Sequence, residues 1–142
     1  MRWATRTGVH VDRAATAWLI RRLIDVDAEF IFYDEPDDVP ADVTPFDMIG
    51  VELSHRGEMV TFETTLSEYR IHDPVMIEIG RIVHEADVAD DLYDAPEAAG
   101  IDIIIKGLSL AESDHEILEV TARLFDALYL AIDHRLSTQR RG

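Results

Sequence analysis

The residues best suited to chemistry lie between Val51 and Glu63, in VELSHRGEMVTFE, where Glu52, His55, Glu58 and Glu63 share one short span. A carboxylate and an imidazole at Glu52 and His55, with Gly57 close behind to permit a tight reversal, make a compact donor set for a divalent transition metal. A second such pair, His84 and Asp87 in IVHEAD, sits on what reads as a helix, and the two pairs predict a site where they converge. The chain has no cysteine, so a transition metal must be held by His, Asp, Glu and water. The same residues also read as ordinary surface: His55 bonded to turn backbone, Glu52 and Glu63 as exposed strand acids, His84 and Asp87 on a solvated helix face.

These residues need elements to position them. Arg2 to Thr7 reads as a first strand that ends in a polar turn at Gly8. DRAATAWLIRRLID then forms a helix, with Asp12 as its cap and Ala15, Trp18, Leu19, Ile20 and Leu23 as its apolar stripe. Arg13 falls in the first turn, where a cation opposes the helix dipole; it is either solvated or held by an acidic partner or an anion. EFIFY, Glu29 to Tyr33, is a second strand reached through that helix. The acidic loop DEPDDVPADVTP follows, without the ligand spacing of an EF-hand. Phe46 to Leu53 and Met59 to Phe62 read as strands flanking a hairpin with Glu52 and His55 near its tip.

Asp73 and Pro74 punctuate the start of the next helix, where Gly80 predicts the close approach of another backbone or a ligand. Residues 94–107 read as a helix whose Ile101, Ile103, Ile104 and Ile105 are too continuous to be amphipathic and so are largely buried. The last helix, from Ser113, frays into the polar tail STQRRG. It carries Asp126 opposite its main stripe, either facing water or orienting a ligand histidine. His72, His115 and His134 read as surface residues. The expected architecture is α+β, with about four short strands near residues 2–6, 29–34, 46–53 and 59–63 packed against about four helices. The carboxy-terminal half is helical, and residues 1–142 form a single domain.

Charge sets further bounds. The formal net charge is -16, and the 13 basic residues are all Arg except Lys106. Such a surface repels phosphate backbones, so direct nucleic-acid binding by this chain is not expected. No segment approaches the roughly 20 apolar residues of a membrane span, and a cytoplasmic location is the expectation. The acidic bias and the preference for Arg fit either a salt-rich cytoplasm or a GC-rich genome. A nicotinamide or flavin fingerprint of the GxGxxG type is absent.

The series WATR, DRAATAWLIRRLIDVDAEFIFY, PFDMIGVELSHRGEMVTFE, IVHEADVADD, PEAAGI and LFDALY resembles the carboxy-terminal domain of ChrB-type chromate-resistance proteins, from about Trp3 to Tyr129. In that family the domain often follows an amino-terminal regulatory region and is associated with chromate-responsive control of an efflux system. The resemblance implies importance for Arg6, Asp12, Arg13, Trp18, Glu52, His55, Arg56, Glu63, Asp87 and Asp126, which coincide with the family pattern.

Two readings follow. In one, Glu52, His55, His84 and Asp87 surround a divalent transition metal such as zinc, iron, manganese or nickel, with Asp12, Glu63 or Asp126 completing or orienting the set. Arg6, Arg13 and Arg56 then hold chromate or another oxyanion beside it, because guanidinium forks match tetrahedral oxyanions. In the other, the chain is a non-catalytic sensor or interaction domain, open to forming a homodimer, in which Arg6 and Arg13 pair with Glu52 and Asp87 and no metal is needed.

Overall fold

The computed structural model describes residues 1–141. Three parallel strands form its sheet in the order β2-β1-β3: β1 is Arg2–Arg6, β2 is Glu29–Tyr33, and β3 is Thr44–Pro45. β1 runs in register with β2 from Arg2 opposite Glu29 to Arg6 opposite Tyr33, and meets β3 at Trp3 and Ala4. Trp3, Ala4 and Thr5 of this central strand are buried.

Among the described residues there are five α-helices: α1 (Val11–Leu19), α2 (Thr61–Glu68), α3 (Pro74–Val88), α4 (Ala98–Ala111) and α5 (Asp114–Arg141). Helix α1 is the hub, packed against α2, α3 and α5. Buried Ala14, Ala15 and Ala17 let neighbouring elements approach closely, while Trp18 and Leu19 fill the space between them. α1 continues into a π-helical turn, Ile20–Ile24, closed by the Asp25 amide donating to the Ile20 carbonyl at 2.7 Å.

The α+β class matches the sequence expectation, and the first two strands fall where expected. The other two do not. Pairing stops at Pro45 because Asp47 and Gly50 adopt positive φ, 51° and 82°, which an extended strand cannot accommodate. Residues 46–53 form a compact loop instead, with the Asp47 amide donating to the Leu53 carbonyl at 2.7 Å. Residues 59–63 enter a helix: Val60 is extended, and Thr61 opens α2. The β propensity of Val60, Thr61 and Phe62 is overridden by long-range capping from Asp12 and by the burial of all three residues.

Three smaller expectations are also corrected. Asp12 does not cap α1, whose N-cap is His10. Only Ile105 of the isoleucine run is fully buried; Ile103 and Ile104 are 70% and 53% exposed because α4 packs through one side alone. The segment expected to fray remains helical through Arg141.

Candidate metal centre

Asp12 occupies the second position of α1 and is 3% exposed. Its Oδ2 accepts the Thr61 amide and its Oδ1 the Phe62 amide, each at 2.9 Å. The carboxylate therefore sits at the positive end of the α2 dipole. His55 reaches the same oxygen from a tight turn stitched by reciprocal amide-to-carbonyl bonds between Arg56 and Met59. Gly57, at φ 60°, makes that turn possible. His55 Nε2 lies 3.1 Å from Asp12 Oδ2 and 3.2 Å from Oδ2 of Asp87, which comes from the last turn of α3. Three elements distant in sequence thus bring one imidazole and two carboxylates together, with donor atoms all within 4.8 Å of one another.

Behind them stands Asp47, which accepts a bond from Thr61 Oγ1 at 2.7 Å and pairs with Arg13 Nε at 3.0 Å. Burial, followed by the charge of Asp12, holds the Asp47 carboxyl above the usual carboxylate range. The same two causes push Asp87 up to about 6. The hydrogen bond with Asp12 raises His55 to about 9, with the charges of Asp87 and Asp47 adding to it and burial opposing it. The cluster concentrates negative charge and favours any cation placed among its oxygens. A cavity of about 390 Å³ opens beside His55, walled by Arg6, Arg13, Asp47, Gly50 and Ser54 among others.

His84 belongs to a different constellation. It is fully buried, with Nδ1 2.5 Å from Glu63 Oε1 and Nε2 3.0 Å from both oxygens of Asp90. Glu63 also accepts the Val60 amide, the reciprocal half of a capping box, and the Tyr93 hydroxyl at 3.0 Å. Burial opposes protonation of His84, but Glu63 and Asp90 together raise its pKa above the ordinary imidazole value. His84, Glu85 and Asp90 also present donors within 4.8 Å of one another. Both nitrogens of His84 are already engaged, and the Glu85 carboxylate accepts the amides of Asp91 and Tyr93.

The remaining sequence-selected residues do not join the three donors. Glu52 is exposed and contributes its carbonyl oxygen, at 3.0 Å, to Arg56. Arg56 also pairs with Glu68 at 2.5 Å. Asp126, on α5, accepts Trp18 Nε1 at 2.9 Å and Arg22 Nη1 at 3.1 Å. Arg13 donates to the carbonyls of Thr7, Gly8 and Asp47, while Arg6 lines the cavity beside His55. Sequence reasoning did not single out Asp47 or Asp90. The signal for Asp47 is its place in FDMIG, an acid before a glycine turn; Asp90 follows the helical His84–Asp87 pair in VADD.

An α+β domain with a partly buried histidine and carboxylate cluster at a helix junction is the class that fold and site define. The family described as ChrB, C-terminal domain, matches residues 3–132, and this chain belongs to that family. It is similar to Protein ChrB of Cupriavidus metallidurans strain CH34, with 33% identity over 129 residues. The matched region covers 89% of this chain and 39% of that relative's length. No solved structure matches the chain. Among the described residues no helix is long and apolar enough to cross a membrane.

Proposed function

We propose that this chain is a metal-binding domain related to chromate resistance, in which Asp12, His55 and Asp87 hold a divalent transition metal. The separations around His55 carry the reading. A tetrahedral ion with bonds of about 2.0–2.1 Å sets neighbouring donor atoms roughly 3.3 Å apart. Nε2 of His55 lies 3.1 and 3.2 Å from the two aspartate oxygens, close to that spacing. One imidazole with two carboxylates suits zinc, iron, manganese or nickel. Burial is the first cause that raises Asp47 and Asp87, and the neighbouring charge of Asp12 is the second; that crowding of carboxylates supports a cation at the same place.

Three protein ligands leave coordination positions for water or an oxyanion. Arg6 is the guanidinium best placed to meet chromate or a similar anion in the adjoining cavity, since Arg13 is bound to three carbonyls and Arg56 pairs with Glu68. The link to chromate comes from membership of the ChrB C-terminal domain family.

One observation favours a second reading. With its pKa raised to about 9, His55 is itself a cation at neutral pH and can bridge Asp12 and Asp87 while Arg13 neutralises Asp47. The chain is then a sensor or interaction domain built on a buried ion-pair network, with no metal required. Elemental analysis of untagged protein separates the two. Near-stoichiometric transition metal, lost from His55→Ala and Asp87→Ala variants that stay folded by circular dichroism, supports the metal centre. A folded parent that holds no metal, and takes up none on soaking, selects the ion-pair network.

A further inference from the structure

Beyond the carboxy-terminal end of α1, the sequence WLIRRLID places two consecutive arginines in the π-helical turn. π-turns often mark functional positions, because the widened backbone re-aims the side chains that it carries. Here each guanidinium is laid over an aromatic ring. Arg21 stacks 4.8 Å above Phe30, and Arg22 lies 4.3 Å from the centre of Tyr129 and 5.6 Å from that of Trp18. Hydrogen bonds fix both: Arg21 Nη2 donates to the Ala28 carbonyl at 2.8 Å, and Arg22 Nη1 to Asp126 at 3.1 Å. Arg21 Nε and Nη1 have no hydrogen-bond acceptor among the described residues.

Between these groups lies a cavity of about 210 Å³. Ala17 and Ala122 leave the room, and Trp18, Phe30 and Leu118 supply apolar walls. A cavity of roughly 150 Å³ is enough to take up benzene. Two fixed cations face it against the single carboxylate of Asp126, a local excess of positive charge in a chain of net charge -16. Stacked and hydrogen-bonded guanidiniums lose little rotamer freedom when an anion arrives.

We propose that the cavity between α1 and α5, with Arg21 and Arg22 at its edge, binds a small aromatic carboxylate. The ring occupies the space among Trp18, Phe30, Leu118 and the two alanines, and the carboxylate pairs with Arg21. A small polar anion would leave the apolar walls wet, and a neutral arene would leave the guanidinium without a partner. This site is separate from the Asp12, His55 and Asp87 cluster and does not depend on a metal there.

The test is isothermal titration of the intact chain with 2-naphthoate, beside acetate and the neutral alcohol 2-naphthalenemethanol. Saturable one-to-one binding of 2-naphthoate is expected, with a dissociation constant at or below about 1 mM and at least about tenfold weaker binding of the two controls. Arg21→Gln, at an exposed position, and Ala122→Leu, which fills the cavity, should each weaken 2-naphthoate at least about tenfold while circular dichroism is unchanged. If Ala122→Leu does not fold, Arg21→Gln alone decides. Absence of saturation, equal binding of either control, or an Arg21→Gln variant that binds like the parent overturns the proposal.

Discussion

The Asp12 carboxylate caps a helix that begins 49 residues later, accepting the Thr61 amide at 2.9 Å through the same oxygen that faces His55. One buried side chain therefore both starts α2 and forms the floor of the candidate metal centre. Structure and chemistry at this point are separable only by comparing substitutions.

Asp12→Ala removes the acceptor for two buried amides and should destabilise the fold by about 2–4 kcal/mol. His55 is 49% exposed, so His55→Ala should cost less than about 1 kcal/mol while removing metal binding. Urea unfolding of the metal-free variants measures both. Equal losses would contradict this division of roles.

The proposed metal centre predicts a pH dependence of definite sign. In the metal-free chain His55 stays protonated up to pH about 9, and an ion needs its Nε2 lone pair, so binding expels a proton. Affinity for zinc should rise with pH from neutrality to about 9 and then level off, by up to about tenfold per unit. Calorimetry in buffers of different ionisation enthalpy should detect about one proton released per ion at neutral pH, and less in His55→Ala. A pH-independent affinity would sink the assignment.

Stability of the metal-free chain follows the same groups with opposite signs. The raised pKa of His55 contributes stability that is full below its unfolded value of 6.5 and lost as pH rises through about 9. For Asp87 the shift is a penalty, full above about 6 and relieved as pH falls toward 3.8. Alkaline pH should thus lower the urea midpoint of the parent more than that of His55→Ala.

His84→Ala removes a fully buried side chain and the imidazole partner of Glu63, while the exposed Asp90 can turn to water, and should cost about 1–3 kcal/mol. A folded His84→Gln variant should keep its metal, because His84 is bound to Glu63 and Asp90 and not to the Asp12 cluster. Metal loss from a folded His84→Gln variant would move the centre to the His84, Glu85 and Asp90 group.

Gly80→Ala should stabilise the chain. A Cβ at Gly80 would meet Leu66 Cδ1 at 3.4 Å and Phe62 Cδ1 at 3.5 Å, ordinary contact distances. The gain in helix propensity is about 0.5–1 kcal/mol, visible as a rise of about 1–4 °C in Tm.

The parts of this fold legible in the sequence were those whose local and global demands agree. β1, β2, α1 and the Asp73–Pro74 start of α3 all carry their own periodicity or punctuation. Residues 46–63 do not. Val60, Thr61 and Phe62 favour a strand on their own, and capping by the distant Asp12 together with burial starts a helix at Thr61 instead; Asp47 takes a positive φ that its residue type permits without announcing. The sequence singles out His55 and Asp87 and offers Asp12 as a residue completing or orienting their set, and the fold brings the three together; the helix that Asp12 caps is α2 and not its own. Asp90 escaped notice because its contact with His84 depends on the chain turning back at Ala89, which takes a left-handed conformation despite its Cβ.

The brevity of β3 decides how the sheet meets other chains. It is an edge strand of two residues, and Pro45 has no amide hydrogen to offer. Phe46 then turns inward, donating its amide to the Ala4 carbonyl and burying its ring beside Trp3 and Phe30. That flank of the sheet cannot template a further strand, so a parallel core that must assemble from distant segments is guarded on this side against runaway intermolecular pairing.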